Sequence, residues 1–92
     1  LTHQLKNKLK GRLSQIYQQA ARVKIGKKGL TTEMIAEISN QLASHELIKV
    51  RFLNNYITDD LDQDIALILK KTNAQKVDKR GKVIILYKPK KE

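Results

Sequence analysis

Val83-Ile84-Ile85-Leu86-Tyr87 constrains this chain more than any other segment. Its β-branched and aromatic residues favour a strand, yet no polar residue alternates with the apolar ones. A strand apolar on both faces belongs inside a sheet rather than at its edge, so this one is expected to be central. Gln75–Lys79 and Lys82–Tyr87 flank Arg80-Gly81, where glycine can supply a positive φ, which predicts a β-hairpin.

Upstream, the hydrophobic period alternates between helix and strand. Leu5, Leu9, Leu13, Ile16, Tyr17 and Ala20 recur at spacings of three and four and predict a helix over about Thr2–Ala21, with Lys6, Lys8, Lys10 and Arg12 flanking the apolar stripe. Arg22–Ile25 alternates basic and apolar residues, as a half-exposed strand does, and ends at Gly26. Thr31 is placed to cap a second helix over about Thr32–Ser44, with Met34, Ile35, Ile38 and Leu42 inward. Ile48, Val50 and Phe52 alternate with Lys49 and Arg51 in a second strand. Thr58 or Asp59 is expected to cap a third helix, with Leu61, Ile65, Ile68 and Leu69 buried and Asn73 at its end.

The order is a helix followed by β-α-β-α-β-β, which is an α/β fold. Helical crossovers permit parallel strands and the closing hairpin is antiparallel, so a mixed four-stranded sheet with helices packed on it is expected. With 92 residues there is room for one core. The expected division is a single domain over 1–92: the N-terminal helix over 1–21, the β-α-β-α-β-β core over 22–88, and a tail over 89–92.

Charge is distributed unevenly. The net charge is +10, yet residues 1–32 hold eight basic and no acidic side chains, whereas residues 33–69 hold seven acidic and two basic. Residues 70–92 are basic again. A generically soluble, Lys-rich surface would not require a carboxylate-free third of the chain, so the expected partner is a polyanion.

Two groups of residues could hold one. Gly26-Lys27-Lys28-Gly29 lies between a strand and a helix start, where glycines let a backbone approach phosphate and the helix dipole and lysines favour it. A chain of this length contains about 0.4 such GxxG matches by chance. The strand-GxxG-helix placement is more specific, because KH domains hold a nucleic-acid backbone with that device. The second group follows from strand alternation: Arg22 and Lys24 oppose Val23 and Ile25, and Lys49 and Arg51 oppose Ile48, Val50 and Phe52. If helices cover the apolar side, these four cations line an open sheet face. Lys79, Arg80 and Lys82 at the hairpin tip are weaker candidates.

Other chemistries find little support. Tyr17, Phe52, Tyr56 and Tyr87 are the only aromatics and form no pair for stacking bases on adjacent strands. Asp60, Asp62 and Asp64 begin like a calcium loop, but Ile65 and Lys71 stand where Gly and Glu are needed. His3 and His45 lack a second ligand at metal spacing. There is no cysteine, nucleophile elbow or Walker loop, so no enzyme, metal or cofactor is expected. Every uninterrupted apolar run is far shorter than the roughly 20 residues of a membrane-spanning helix, and a soluble cytoplasmic protein is expected.

Three blocks, Ile25-Gly26-Lys27-Lys28-Gly29-Leu30-Thr31, His45-Glu46-Leu47-Ile48-Lys49-Val50, and Gly81 followed by Ile85-Leu86-Tyr87-Lys88, together resemble the CRM domain (chloroplast RNA splicing and ribosome maturation). The resemblance covers about residues 22–89 and is nearest to the small stand-alone YhbY-like members. It implies a fold related to the C-terminal domain of bacterial translation initiation factor three. It also implies RNA contacts at Gly26, Lys27, Lys28 and Gly29 and association with precursors of the large ribosomal subunit. Arg22, Lys24, Lys49 and Arg51 are added from strand alternation alone. The resulting expectation is a non-catalytic, monomeric RNA-binding protein of ribosome assembly, with no small-molecule substrate and no membrane partner. The alternative is a DNA- or chromatin-binding protein, since Alba-like proteins share this element order and basic character.

Overall fold

A computed structural model of the chain describes residue 7 and residues 9–89. The beginning of the expected first helix, residues 1–6 and 8, and the end of the expected tail, residues 90–92, lie outside the described residues. The described elements are α1 (Lys10–Gln18), β1 (Val23–Ile25), α2 (Thr32–His45), β2 (Leu47–Phe52), α3 (Leu61–Thr72), β3 (Gln75–Arg80) and β4 (Val83–Tyr87).

The four strands form one mixed sheet in the order β1-β2-β4-β3. β1 runs parallel to β2, and β4 runs antiparallel to both β2 and β3. The doubly apolar β4 is central, and Ile84, Ile85 and Leu86 are fully buried. Each such side chain contributes about 1.5–3 kcal/mol of burial.

Both faces of that strand are covered. On one, Ile38 and Leu42 of α2 and Ile65 and Ile68 of α3 pack on Val23, Ile25, Ile48, Val50, Phe52, Ile84 and Leu86. On the other, Leu9, Leu13 and Ile16 pack on Leu47, Val77 and Ile85. The sheet face expected to be open is therefore partly roofed by α1. The cause lies in β4, whose Ile85 would otherwise present its side chain to water.

Local chemistry explains most element ends. The Thr31 hydroxyl accepts a hydrogen bond from the Met34 N–H at 3.1 Å and caps α2. For α3 the cap is Asp60, not Thr58 or Asp59: its carboxylate accepts from the Gln63 N–H at 3.2 Å. Thr58 is engaged elsewhere, donating to the Asp64 carboxylate and accepting from the Asp60 N–H. Asn73 ends α3 in the left-handed conformation, φ 58°. The buried Thr72 hydroxyl donates to the Ile68 carbonyl at 2.7 Å, so its burial leaves no unmet donor.

Three boundaries differ from expectation. α1 stops at Gln18 rather than continuing to Ala21, because Gln19 turns extended and the chain crosses to β1. Arg22 lies just outside β1, although its N–H donates to the Lys49 carbonyl at 3.0 Å. The hairpin connection is Gly81-Lys82 rather than Arg80-Gly81: Arg80 pairs with Val83, and Gly81 takes φ +57° at the first central position, where a type II′ turn places its glycine. β3 also carries a bulge between Lys76 and Asp78. The extra residue, Val77, is thereby buried beneath α1.

Candidate nucleic-acid interface

The GKKG segment is a tight turn between β1 and α2. The Gly29 N–H donates to the Gly26 carbonyl at 2.9 Å, which projects Lys27 and Lys28 into solvent. Gly29 adopts φ +75°, a conformation disfavoured for any residue with a Cβ. At Gly26 the constraint is space: a Cβ would stand 3.0 Å from Asn55 Oδ1 and 3.3 Å from Leu53 Cδ1. The two glycines thus serve different purposes, one permitting the turn and the other seating it against the segment after β2. The Leu53 N–H donating to the Ile25 carbonyl at 2.8 Å fixes the same junction.

Beside this turn the register brings cations from separate strands into one row. Lys24 pairs with Arg51 across β1 and β2, Arg51 with Val83 across β2 and β4, and Val83 with Arg80 across β4 and β3. At about 4.8 Å per strand, Lys24, Arg51 and Arg80 span roughly 14 Å on the α1 face. Lys24 and Arg51 are exposed, and among the described residues neither forms an ion pair. Like charges side by side on a sheet repel, so the pair gains from an anion laid across it. Arg80 is held in place by the Tyr17 ring, 4.1 Å from its guanidinium carbon, and by Asp78 at 3.6 Å. Lys82 joins the group at the hairpin tip, its carbonyl accepting from the Phe52 N–H at 2.8 Å.

Lys49 departs from the expected open set. It lies on the same sheet face, but its ammonium donates to the carbonyls of Tyr17 and Gln19, both at 2.9 Å. It closes the carbonyl end of α1, where a cation satisfies both the unpaired acceptors and the helix dipole. Arg22 is exposed at the start of β1, away from the GKKG turn. The expected set therefore divides: Gly26, Lys27, Lys28, Gly29, Lys24 and Arg51 lie together, Arg22 stands at the opposite end of β1, and Lys49 is occupied. Arg80 gains a place in the row.

Asp78 pairs with Arg80 within the row, whereas the carboxylates at the start of α3 are directed elsewhere. Asp62 pairs with Lys79 at 3.0 Å, and the hydrogen bond and charge of that lysine hold its carboxyl below the ordinary range. Asp64 accepts from Tyr56 at 2.6 Å and from Thr58. These groups belong to the start of α3, on the face opposite the cationic row. None of them forms a group suited to holding a metal ion among the described residues.

Over residues 1–88 the chain, with its strand-GKKG-helix turn, matches the CRS1 / YhbY (CRM) domain model. The chain belongs to the CRM domain family. Among its relatives, Probable RNA-binding protein YqeI of Bacillus subtilis (strain 168) is 41% identical over 68 residues, covering 74% of this chain and 70% of the relative. A Haemophilus influenzae protein named RNA-binding protein is 37% identical over 70 residues, covering 76% of this chain and 70% of that one. The solution structure of the Staphylococcus aureus hypothetical protein SAV1595 is similar with a TM-score of 0.71 at 31% identity, covering 95% of this chain and 86% of that one. In this CRM chain the GKKG block that carries the resemblance is also the turn that faces solvent.

Proposed function

We propose that this chain is a non-catalytic RNA-binding protein that acts as a monomer in the cytoplasm on ribosomal RNA in large-subunit precursors. The observation that carries the reading is the GKKG turn set beside the Lys24, Arg51, Arg80 row, whose neighbouring ring, Tyr17, is already stacked on Arg80. RNA would be gripped by its phosphates and shape, with Lys27 and Lys28 at the turn and Lys24 and Arg51 on the sheet. The names of the B. subtilis and H. influenzae relatives support RNA as the ligand class. Membership of the CRM family supports the ribosomal assignment.

Gradient sedimentation of a cell lysate at low salt, with and without ribonuclease, tests the biology. Comigration with immature large-subunit particles, abolished by ribonuclease, is the expected result. Migration with nucleoid DNA, or as free protein indifferent to nuclease, would refute it. In solution, structured RNA should bind more tightly than duplex DNA at equal salt; the reverse preference would favour the DNA-coating alternative.

A further inference from the structure

A cleft of about 180 Å³ opens at the start of β1, at the end of that strand away from the GKKG turn. Ile16 forms its floor, and Arg12, Gln15, Gln19, Arg22 and His45 line it. Three separate parts of the chain meet there: α1, the connection into β1, and the last residue of α2. Lys49 fastens two of them together, its ammonium holding the end of α1 and its carbonyl accepting from the Arg22 N–H. The cleft is therefore built by tertiary contacts rather than by one mobile loop.

Its lining selects an anion. No carboxylate contributes to it, and among the described residues neither guanidinium forms an ion pair. Two guanidiniums offer planar donor forks that match phosphate oxygens, and the two carboxamides add further donors. The position is equally informative. Arg22 and Gly26 bound β1, so at about 3.3 Å per residue the cleft and the GKKG turn are roughly 13 Å apart, with the exposed Lys24 between them. β1 is an edge strand, which leaves this line of cations accessible along its length.

We propose that the cleft is a second phosphodiester-binding site for RNA, with Arg12 and Arg22 holding one backbone phosphate while the GKKG turn holds another. This rests on the RNA-binding reading above and extends it: from the turn and Lys24 the RNA strand continues along the β1 edge to the cleft.

The test is fluorescence anisotropy of a labelled stem-loop RNA with the full chain, across a salt series. Arg12→Gln with Arg22→Gln should weaken binding by about tenfold and make the salt slope shallower by roughly 0.7–0.9, the loss of one phosphate contact. Lys27→Ala with Lys28→Ala should weaken it separately, and the two effects should multiply in the combined variant because the sites are about 13 Å apart. Gln15→Glu, one exposed substitution that places a negative charge in the cleft, should also weaken binding and decides the matter if the double arginine variant misfolds. Binding within about twofold of the unaltered chain for a folded arginine variant or for Gln15→Glu, with an unchanged slope, would overturn the second site. In that case a large loss in the Lys27, Lys28 variant leaves the RNA reading standing. Absence of RNA binding by the unaltered chain would remove the reading and the cleft together.

Discussion

The Lys49 ammonium stands 2.9 Å from the Gln19 carbonyl oxygen, at the end of α1, and donates equally to the Tyr17 carbonyl. A cation that strand alternation assigns to a nucleic-acid surface is instead the clasp between a helix and the sheet. Lys49→Met keeps the aliphatic stem and removes the donor, so it should lower the free energy of unfolding by about 1–2 kcal/mol. RNA affinity of the folded protein should stay within about twofold, since the donors of that ammonium are already engaged by the Tyr17 and Gln19 carbonyls. Urea denaturation beside a binding titration checks both halves, and intact stability with lost binding would contradict this role.

Lys24 and Arg51 should behave in the opposite way. They are exposed register partners, and among the described residues neither is paired with a carboxylate. Replacing both by Ala should leave the urea midpoint unchanged or slightly raised, because their mutual repulsion is relieved. If the unaltered chain neutralises about five phosphates, log K falls against log salt with a slope of roughly −3.5 to −4.5, and the double variant should be shallower by roughly 1.4–1.8. An unchanged slope would place the RNA elsewhere.

The two glycines of the turn should fail differently. At Gly29 nothing lies within 4 Å of a Cβ, so the cost of Gly29→Ala comes from φ +75° alone, about 1–2 kcal/mol. Gly29→Asn should recover part of it, since Asn tolerates that conformation. At Gly26 the cost is steric, and it should rise from Gly26→Ala to Gly26→Val as the side chain meets Asn55 and Leu53. Thermal melts of the four variants separate the two causes.

Alkali should destabilise the fold through two phenols. Burial, then the hydrogen bond to Asp64, raises Tyr56 from 10.0 to about 12, and burial, then the bond to Asp78, raises Tyr17 well above its ordinary value. Both groups hold their protons more tightly when folded, so their contribution is fully present below pH 10.0 and declines as pH rises through the folded values. Tyr17→Phe with Tyr56→Phe should start less stable at neutral pH and lose less stability above pH 10.0 than the unaltered chain. Equal losses in the two proteins, measured by urea melts across that range, would contradict the assignment.

Much of this architecture is legible in the amino-acid sequence, because it depends on short-range chemistry. The Thr31 cap, the strand alternation at Val23–Ile25 and Leu47–Phe52, and the helical spacing of Ile65 and Ile68 each express a preference acting within a few residues. The central place of Val83–Tyr87 also followed from its composition, since only an interior strand hides both faces. Caps and turns moved by a residue or two where neighbouring polar groups competed, as when Asp60 rather than Asp59 took the Gln63 N–H.

The GKKG turn is legible in the sequence, because Gly29 and the two lysines act locally, whereas the close approach of Asn55 and Leu53 that requires Gly26 is tertiary. Tertiary structure alone decided which cations remain available. Lys24, Lys49 and Arg51 are equivalent by alternation, yet α1 crosses the sheet over Lys49 and leaves the Lys24, Arg51 row uncovered. Arg80 entered that row only through the β2-β4-β3 register, and Arg12 met Arg22 and His45 only through the docking of α1. The physical reason is range: local propensity shapes each element, whereas side-chain availability depends on which distant carbonyl or carboxylate the packed core brings near.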